Sequence, residues 1–163
     1  MNRLLWCAQL KHGIGMTEPS DNLAAAYLKK AEEALDAMHT VHAKDWKIST
    51  GYYSMYFSLY AVFMKIGIRS ENHTCSLEIM RQLLHQYFKA DEIEKLKRAQ
   101  KSRIECQYYT SQDVPDILSG ELMKDVPLFL VRCKGIMNRL TERDIARLRE
   151  DFKNQLSLQQ GTA

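Results

Sequence analysis

GYYSMYFSLYAVFMKIGIRSENH, residues 51–73, is the stretch around which the rest of the chain is organised. From Tyr52 to Ile66, every residue except two serines and one lysine is apolar or aromatic, which is typical of a helix surrounded by other helices. Gly67 can end that helix in the left-handed conformation, and the polar residues 69–73 follow as a joint before the next helical segment. The sequence therefore predicts a central core helix and a polar turn in which functional side chains are expected.

Wound as a helix, the central stretch has two different faces. Small residues such as Gly51 and Ser54 recur at intervals of three and four on one stripe, where they allow a neighbouring helix to approach closely. Tyr53, Tyr56 and Tyr60 lie on the opposite side. Tyrosines bury their rings while each hydroxyl keeps a hydrogen-bond partner, so this face is expected to combine packing with polar contacts.

The bulk composition is that of one globular domain. The chain has 163 residues, of which 45% are hydrophobic and 26% charged, so neither disorder nor a collagen-like scaffold is expected. A net charge of +3 is too small to indicate nucleic-acid binding by itself, and the basic residues between Lys95 and Arg103 spread around a helix axis. The central apolar run is shorter than the roughly 20 residues that a membrane span needs. We therefore expect a soluble protein without a membrane partner.

The chain contains four widely separated cysteines: Cys7, Cys75, Cys106 and Cys133. Because no CxxC pair and no secretory leader accompanies them, we expect four reduced thiols in a cytoplasmic protein. His39 and His42 have a spacing that can hold a metal ion, but no carboxylate or cysteine joins them locally. We therefore predict no metal site and no cofactor.

Helical periodicity continues along most of the chain. After a break at residues 12–22, Ser20 or Asp21 caps an amphipathic helix, and later helices are predicted from His73, from Asp91, beyond residue 115 and from residue 141 to residue 158. No segment alternates like a strand. The predicted fold is an all-α antiparallel helical bundle of four to five core helices, with a short N-terminal helix and an extra C-terminal helix. We expect this last helix to pack on the bundle or on the surface of a dimer.

Three regions follow from this pattern. Residues 1–18 form an N-terminal docking segment, residues 19–139 form the helical bundle, and residues 140–163 form the C-terminal helix and a polar tail. The break at residues 12–22 marks the first boundary because glycine, proline and capping residues concentrate there.

Residues 69–73 carry the most suggestive chemistry. A helix that begins near Asn72 points free backbone N–H groups at a ligand, and Arg69 offers a planar fork for phosphate oxygens. The positive end of that helix is expected to lower the pKa of His73, which helps the ring act as a neutral base. Such a pair assists the attack of a ribose 2′-hydroxyl on the adjacent phosphodiester without a metal. The alternative is a surface arginine beside a histidine in a turn.

The central motif resembles that of the HEPN-domain family, in the small stand-alone form found in prokaryotes. In that family the second helix carries a segment similar to AYYAMF, and then a long apolar run, a glycine and a polar turn that ends in histidine. Tyr52, Tyr53 and Met55 match the segment. Gly67 matches the glycine, and Arg69 and His73 lie in the polar turn that follows it.

A second likeness lies later in the chain. The family tends to show an arginine, then a tyrosine, then a helix that closes the bundle, and Arg103, Tyr108 and Tyr109 fit that order. Together the two likenesses cover about residues 19 to 139, and the first motif is the more specific one.

The resemblance implies a helical bundle that forms a homodimer. It also implies a function with a minimal nucleotidyltransferase partner, of the toxin–antitoxin or two-component transferase type, and this is the function that we predict. A non-catalytic interaction module is a further possibility.

The alternative function implied by the resemblance is a metal-independent endoribonuclease that cleaves RNA. Arg69 and His73 are then the catalytic residues. The family motif places four to six residues between arginine and histidine, and here three residues separate them. The groove around this pair is expected to be lined by four residues: Tyr53, Asn72, Arg103 and Tyr108.

Overall fold

The structure is a computed structural model that describes residues 3–108 and 115–157. Within these ranges the chain forms seven helices and one two-stranded ribbon, which confirms the predicted all-α bundle. The elements are α1 Arg3–Gln9, β1 Ile14–Met16, α2 Asp21–Thr40, α3 Lys44–Ile66, β2 Ile68–Ser70, α4 His73–Gln82, α5 Ala90–Tyr108, α6 Asp116–Arg139 and α7 Glu142–Ser157.

The central helix α3 is surrounded by α2, α5, α6 and α7, as its composition predicts. Its stripe of small residues faces α2. A Cβ atom on Gly51 would lie 2.8 Å from the sulfur of Met38. One turn later, the hydroxyl of Ser54 donates a hydrogen bond to the carbonyl of Ala31 at 2.8 Å. Small side chains therefore bring α2 and α3 into the close contact that anchors the bundle.

The prediction that no strand would occur is wrong for two short segments. β1 and β2 pair in antiparallel register, with Gly15 opposite Arg69. The pairing continues on both sides, since Thr17 N donates to Gly67 O and Glu71 N donates to Gly13 O, each at 3.0 Å. Strands of three residues are too short for alternation to reveal them. The ribbon fixes the turn between α3 and α4 against the N-terminal segment.

Cys7 and Cys75 form a disulfide between α1 and α4, with their Cα atoms 5.7 Å apart. This corrects the expectation of four reduced thiols, and only Cys106 and Cys133 are free. The two residues are 68 positions apart in sequence and meet because α1 packs on α4. The prediction of a cytoplasmic location was based on reduced thiols. Because disulfides are rare in reducing compartments, the cysteines no longer support that prediction.

The last helix packs on the bundle, as predicted. Phe152 is fully buried. One nitrogen of Arg149, Nη1, donates to the carbonyls of Thr17, Ile66 and Gly67 at 2.8, 3.0 and 3.0 Å. Gly67 ends α3 with φ 82° and ψ 47°, which confirms the predicted left-handed C-cap. α7 is thus attached to the corner where α3 ends.

Several helix limits differ from the predicted ones. α3 begins at Lys44, well before the apolar run that starts at Tyr52, and α4 ends at Gln82. Of the two residues predicted to cap α2, Ser20 is the one at the N-cap position. The predicted tail and Tyr109 fall outside the described residues. Among the helices that the structure describes, none combines the length and apolar character needed to cross a membrane.

Candidate functional site

His73 begins α4, and its ring lies against the tyrosine face of α3. The hydroxyl oxygen of Tyr52 is 2.5 Å from His73 Nδ1. The imidazole also stacks on the ring of Tyr56, with centroids 4.1 Å apart and planes 24° apart. Tyr52 and Tyr56 are one helical turn apart on α3, so both reach the same side. The two tyrosines together fix the position and the orientation of the ring.

Arg103 approaches the same face from α5. Its Nη2 donates to the hydroxyl of Tyr53 at 2.9 Å. The guanidinium carbon lies 5.7 Å from the ring centroid of Tyr52 and 5.2 Å from that of Tyr53, so the charge is held over two aromatic rings. Its Nε is buried and has no hydrogen-bond partner within the described ranges. A buried donor without a partner is costly, and the half-buried guanidinium keeps further N–H donors in one plane, which match the oxygens of an anionic ligand.

The surroundings of His73, Tyr52 and Tyr56 shift the pKa of each side chain in the direction that favours its neutral form. Burial, and secondly the charge of Arg103, lower the pKa of His73 below its usual value. Burial raises the pKa of Tyr52 above that of an ordinary phenol, and it raises the pKa of Tyr56 to about 12. The lowered pKa of His73 agrees in direction with the prediction from the helix N-terminus, but its causes are burial and Arg103. The site presents a neutral imidazole beside a fixed cation.

Arg69 lies in a different environment. It is on β2, where its side chain is exposed and its Nη1 is 3.2 Å from a carboxylate oxygen of Glu71. A Cβ atom built on Gly15 would lie 3.2 Å from Arg69 Nε, which places the arginine over the neighbouring strand. The structure therefore brings His73 together with Arg103, and it gives Arg69 other partners.

Asn72 is the N-cap of α4 rather than an open anion site. Its side-chain oxygen accepts from the backbone N–H groups of Thr74 and Cys75 at 2.9 and 3.1 Å. Because these two donors are satisfied within the cap, this helix end offers fewer free N–H groups than expected. Tyr108 ends α5 and is 74% exposed, one turn and a half beyond Arg103.

Two of the predicted groove residues, Tyr53 and Arg103, thus contact each other directly. Tyr52 and Tyr56, the partners of His73, were assigned no role in the site, although their spacing of four residues places both on one side of α3. Across residues 3–108 and 115–157, no three histidine, cysteine, aspartate or glutamate side chains form a group that could hold a metal ion.

Replacing Arg103 with glutamine is expected to raise the pKa of His73, because the substitution removes a nearby positive charge. NMR titration of the ring carbon-bound protons measures this directly. The matched change Arg69→Gln is expected to leave the pKa of His73 unaltered. A His73 that titrates at or above the ordinary value of about 6.5 in the wild type would contradict this electrostatic description.

The same shift has a consequence for stability. His73 has a lower pKa in the folded chain than in the unfolded chain, so the unfolded chain binds more protons between the two values. The contribution of this residue to folding is complete above about pH 6.5 and decreases as the pH falls through the folded-state pKa.

Comparison of the chain with protein-family models finds no match. Comparison with curated proteins finds no match either. The resemblance to the HEPN-domain family therefore stays a prediction, which depends on the residues of the central motif and on the later arginine and tyrosine.

Proposed function

We propose that the protein is a metal-independent endoribonuclease of the HEPN type, in which His73 transfers protons and Arg103 binds the phosphate. The observation that supports this proposal is the cluster of His73, Tyr52 and Arg103 on one face of α3. It pairs a neutral imidazole with a fixed cation, which is what proton transfer at a phosphodiester requires. Arg103 takes the role that the sequence suggested for Arg69.

In the proposed reaction, the ribose 2′-oxygen bonds to the adjacent phosphorus, and the bond between phosphorus and the 5′-oxygen breaks. His73 Nε2 takes the proton from the 2′-hydroxyl. This requires the tautomer with a proton on Nδ1, whose N–H the oxygen of Tyr52 accepts. The imidazolium then gives its proton to the departing 5′-oxygen. The products carry a 2′,3′-cyclic phosphate and a 5′-hydroxyl.

Arg103 contributes charge and geometry. A guanidinium presents several N–H donors in one plane, so it can hold two phosphate oxygens at once. The hydrogen bond to Tyr53 and the packing over the tyrosine rings orient it before substrate binds. Negative charge grows on the phosphate oxygens during attack, and a cation already in place stabilises it without reorganisation.

The test is incubation of the purified chain with a mixed RNA pool in the presence of a chelator. The wild type is expected to produce cyclic phosphate ends. His73→Ala is expected to lower the rate by a factor of about 100 or more, because general acid–base catalysis contributes 10²–10⁴ in rate. His39→Ala, a change at an exposed histidine near the end of α2, is the matched control and should cleave as the wild type does. Absence of cleavage by the wild type, or equal cleavage by His73→Ala, would count against the nuclease.

A second function, association with a nucleotidyltransferase, is favoured by the exposed face of α6. Ile117, Leu128 and Val131 are large apolar side chains that lie on one side of this helix and remain exposed. Clustered exposed apolar side chains mark interaction surfaces, and the same face suits the homodimer implied by the resemblance. Co-purification of a transferase with the tagged chain, and its loss in Leu128→Asp, would support this role. A wild type that elutes alone and as a monomer would oppose it.

A further inference from the structure

An open cavity lies further along the seam between α3 and α5. It has a volume of about 450 Å³ and six lining residues: Asp45, Trp46, Ser49, Cys106, Gln107 and Tyr108. Two of its walls are large aromatic side chains that remain mostly in solvent, since Trp46 is 63% exposed and Tyr108 is 74% exposed. Among the tyrosine, phenylalanine and tryptophan side chains that the structure describes, Trp6 is the other exposed one, at 42%, and the rest are buried or half-buried.

The side chains around this cavity suit a nucleobase better than a phosphate. Exposed aromatic rings stack on unpaired bases with little dependence on sequence. The carboxylate of Asp45 repels a phosphate, but it accepts a hydrogen bond from the exocyclic amino group of a base. The amide of Gln107 can both donate to and accept from a base edge.

The cavity is also at a suitable distance from the proposed catalytic cluster. Trp46 is two helical turns before Tyr53 on α3, about 10 Å at 1.5 Å per residue. Tyr53 holds Arg103, the proposed phosphate ligand. Because stacked nucleotides rise about 3.4 Å each along a strand, this distance corresponds to about three nucleotides.

We propose that this cavity stacks one unpaired base of the RNA strand whose phosphate binds at Arg103. The inference rests on the proposed nuclease function and adds a substrate class to it, which is RNA that is single-stranded beside the cleaved bond. A base in a duplex is already stacked and paired, so it cannot enter between Trp46 and Tyr108.

Binding is tested in the full chain carrying His73→Ala, which prevents cleavage during the measurement. Affinity for a short labelled single-stranded RNA is measured by fluorescence anisotropy. Adding Trp46→Ala is expected to weaken binding about five- to tenfold, because base–aromatic stacking is commonly worth that much. Trp6→Ala is the matched control, since Trp6 is the other tryptophan, lies on α1 and is 42% exposed. It is expected to change the affinity less than about twofold.

Tryptophan emission reports on the cavity itself. With Trp6→Phe, Trp46 is the remaining tryptophan, and single-stranded RNA is expected to quench its emission. With Trp46→Phe, the emission of Trp6 should not respond. RNA binding without quenching and without sensitivity to Trp46→Ala would overturn the subsite while leaving the nuclease proposal intact. If the emission of Trp46 falls as the protein concentration rises in the absence of RNA, a second copy of the chain covers the cavity. That result would also overturn the subsite. No RNA binding by any variant would remove both proposals.

Discussion

Replacing Arg103 with methionine is expected to reduce RNA cleavage about a hundredfold or more, whereas Arg69→Met is expected to leave the rate within about threefold. The difference follows from position. Arg103 lies over the tyrosine rings beside His73, while Arg69 is paired with Glu71 on the surface of β2. Methionine keeps much of the length and packing of arginine but removes its charge and its donors. The rates are compared under conditions in which both variants show the thermal transition of a folded protein.

A third variant separates charge from geometry. Arg103→Lys keeps a positive charge but loses the planar fork, so it is expected to recover only part of the activity. Its effect on the pKa of His73 should be small, because the charge remains. If Arg69→Met instead abolished cleavage and Arg103→Met did not, the pair suggested by the sequence would be the catalytic one and the structural assignment would be wrong.

The largest effect on stability is expected from Gly67→Ala. This residue has φ 82°, and a Cβ atom there would lie 2.7 Å from Pro19 N and 2.7 Å from Thr17 O, both in the backbone, and 2.1 Å from Nη1 of Arg149. Left-handed strain costs about 1–2 kcal/mol and loss of the arginine hydrogen bonds about 1.5–3 kcal/mol. The free energy of unfolding should fall by about 3–5 kcal/mol, which lowers Tm by roughly 10 °C.

The stability of Gly67→Ala is measured by thermal and denaturant unfolding, together with two control variants. A Cβ atom on Gly120, inside α6, meets no atom within 4 Å, so Gly120→Ala is expected to raise stability by up to about 1 kcal/mol. Arg149→Met removes the hydrogen bonds to the corner without placing a side chain on Gly67, and it should show about half of the loss. Equal stability of Gly67→Ala and Gly120→Ala would contradict the close packing described around Gly67.

The sequence predicted most of the fold because local signals determine most of it. The cap at Ser20 and the left-handed Gly67 each act through neighbours within a few positions, and the small residues of α3 recur at a spacing that is visible in the sequence. The disulfide and the ribbon escaped prediction for the opposite reason. Cys7 and Cys75 are 68 positions apart, and nothing near either residue identifies the other as its partner.

The candidate site was predictable only in part. Tyr53, Arg103 and His73 were selected from their residue types and from the resemblance, and the structure places them on adjoining parts of one surface. Arg69 was selected because it is near His73 in sequence. The antiparallel pairing of β2 with β1 turns its side chain towards Glu71 and Gly15. Strand pairing thus overrode the effect of sequence proximity.

The pairing of β1 with β2 also has a consequence for the order of folding. The α2–α3 hairpin joins neighbours in sequence, so it can form early, but Arg149 reaches Thr17 across 132 positions and the ribbon closes a long loop. Closing such loops lowers the entropy of the chain, and this unfavourable step comes before the contacts that stabilise the closed loop. His73 lies three residues after the end of β2, and Arg103 reaches the same tyrosines from α5, so the complete cluster needs several separate elements to be in place. A partly folded chain would hold a formed hairpin and no assembled site, and any activity of this protein should therefore appear last, after the bulk of its helix content.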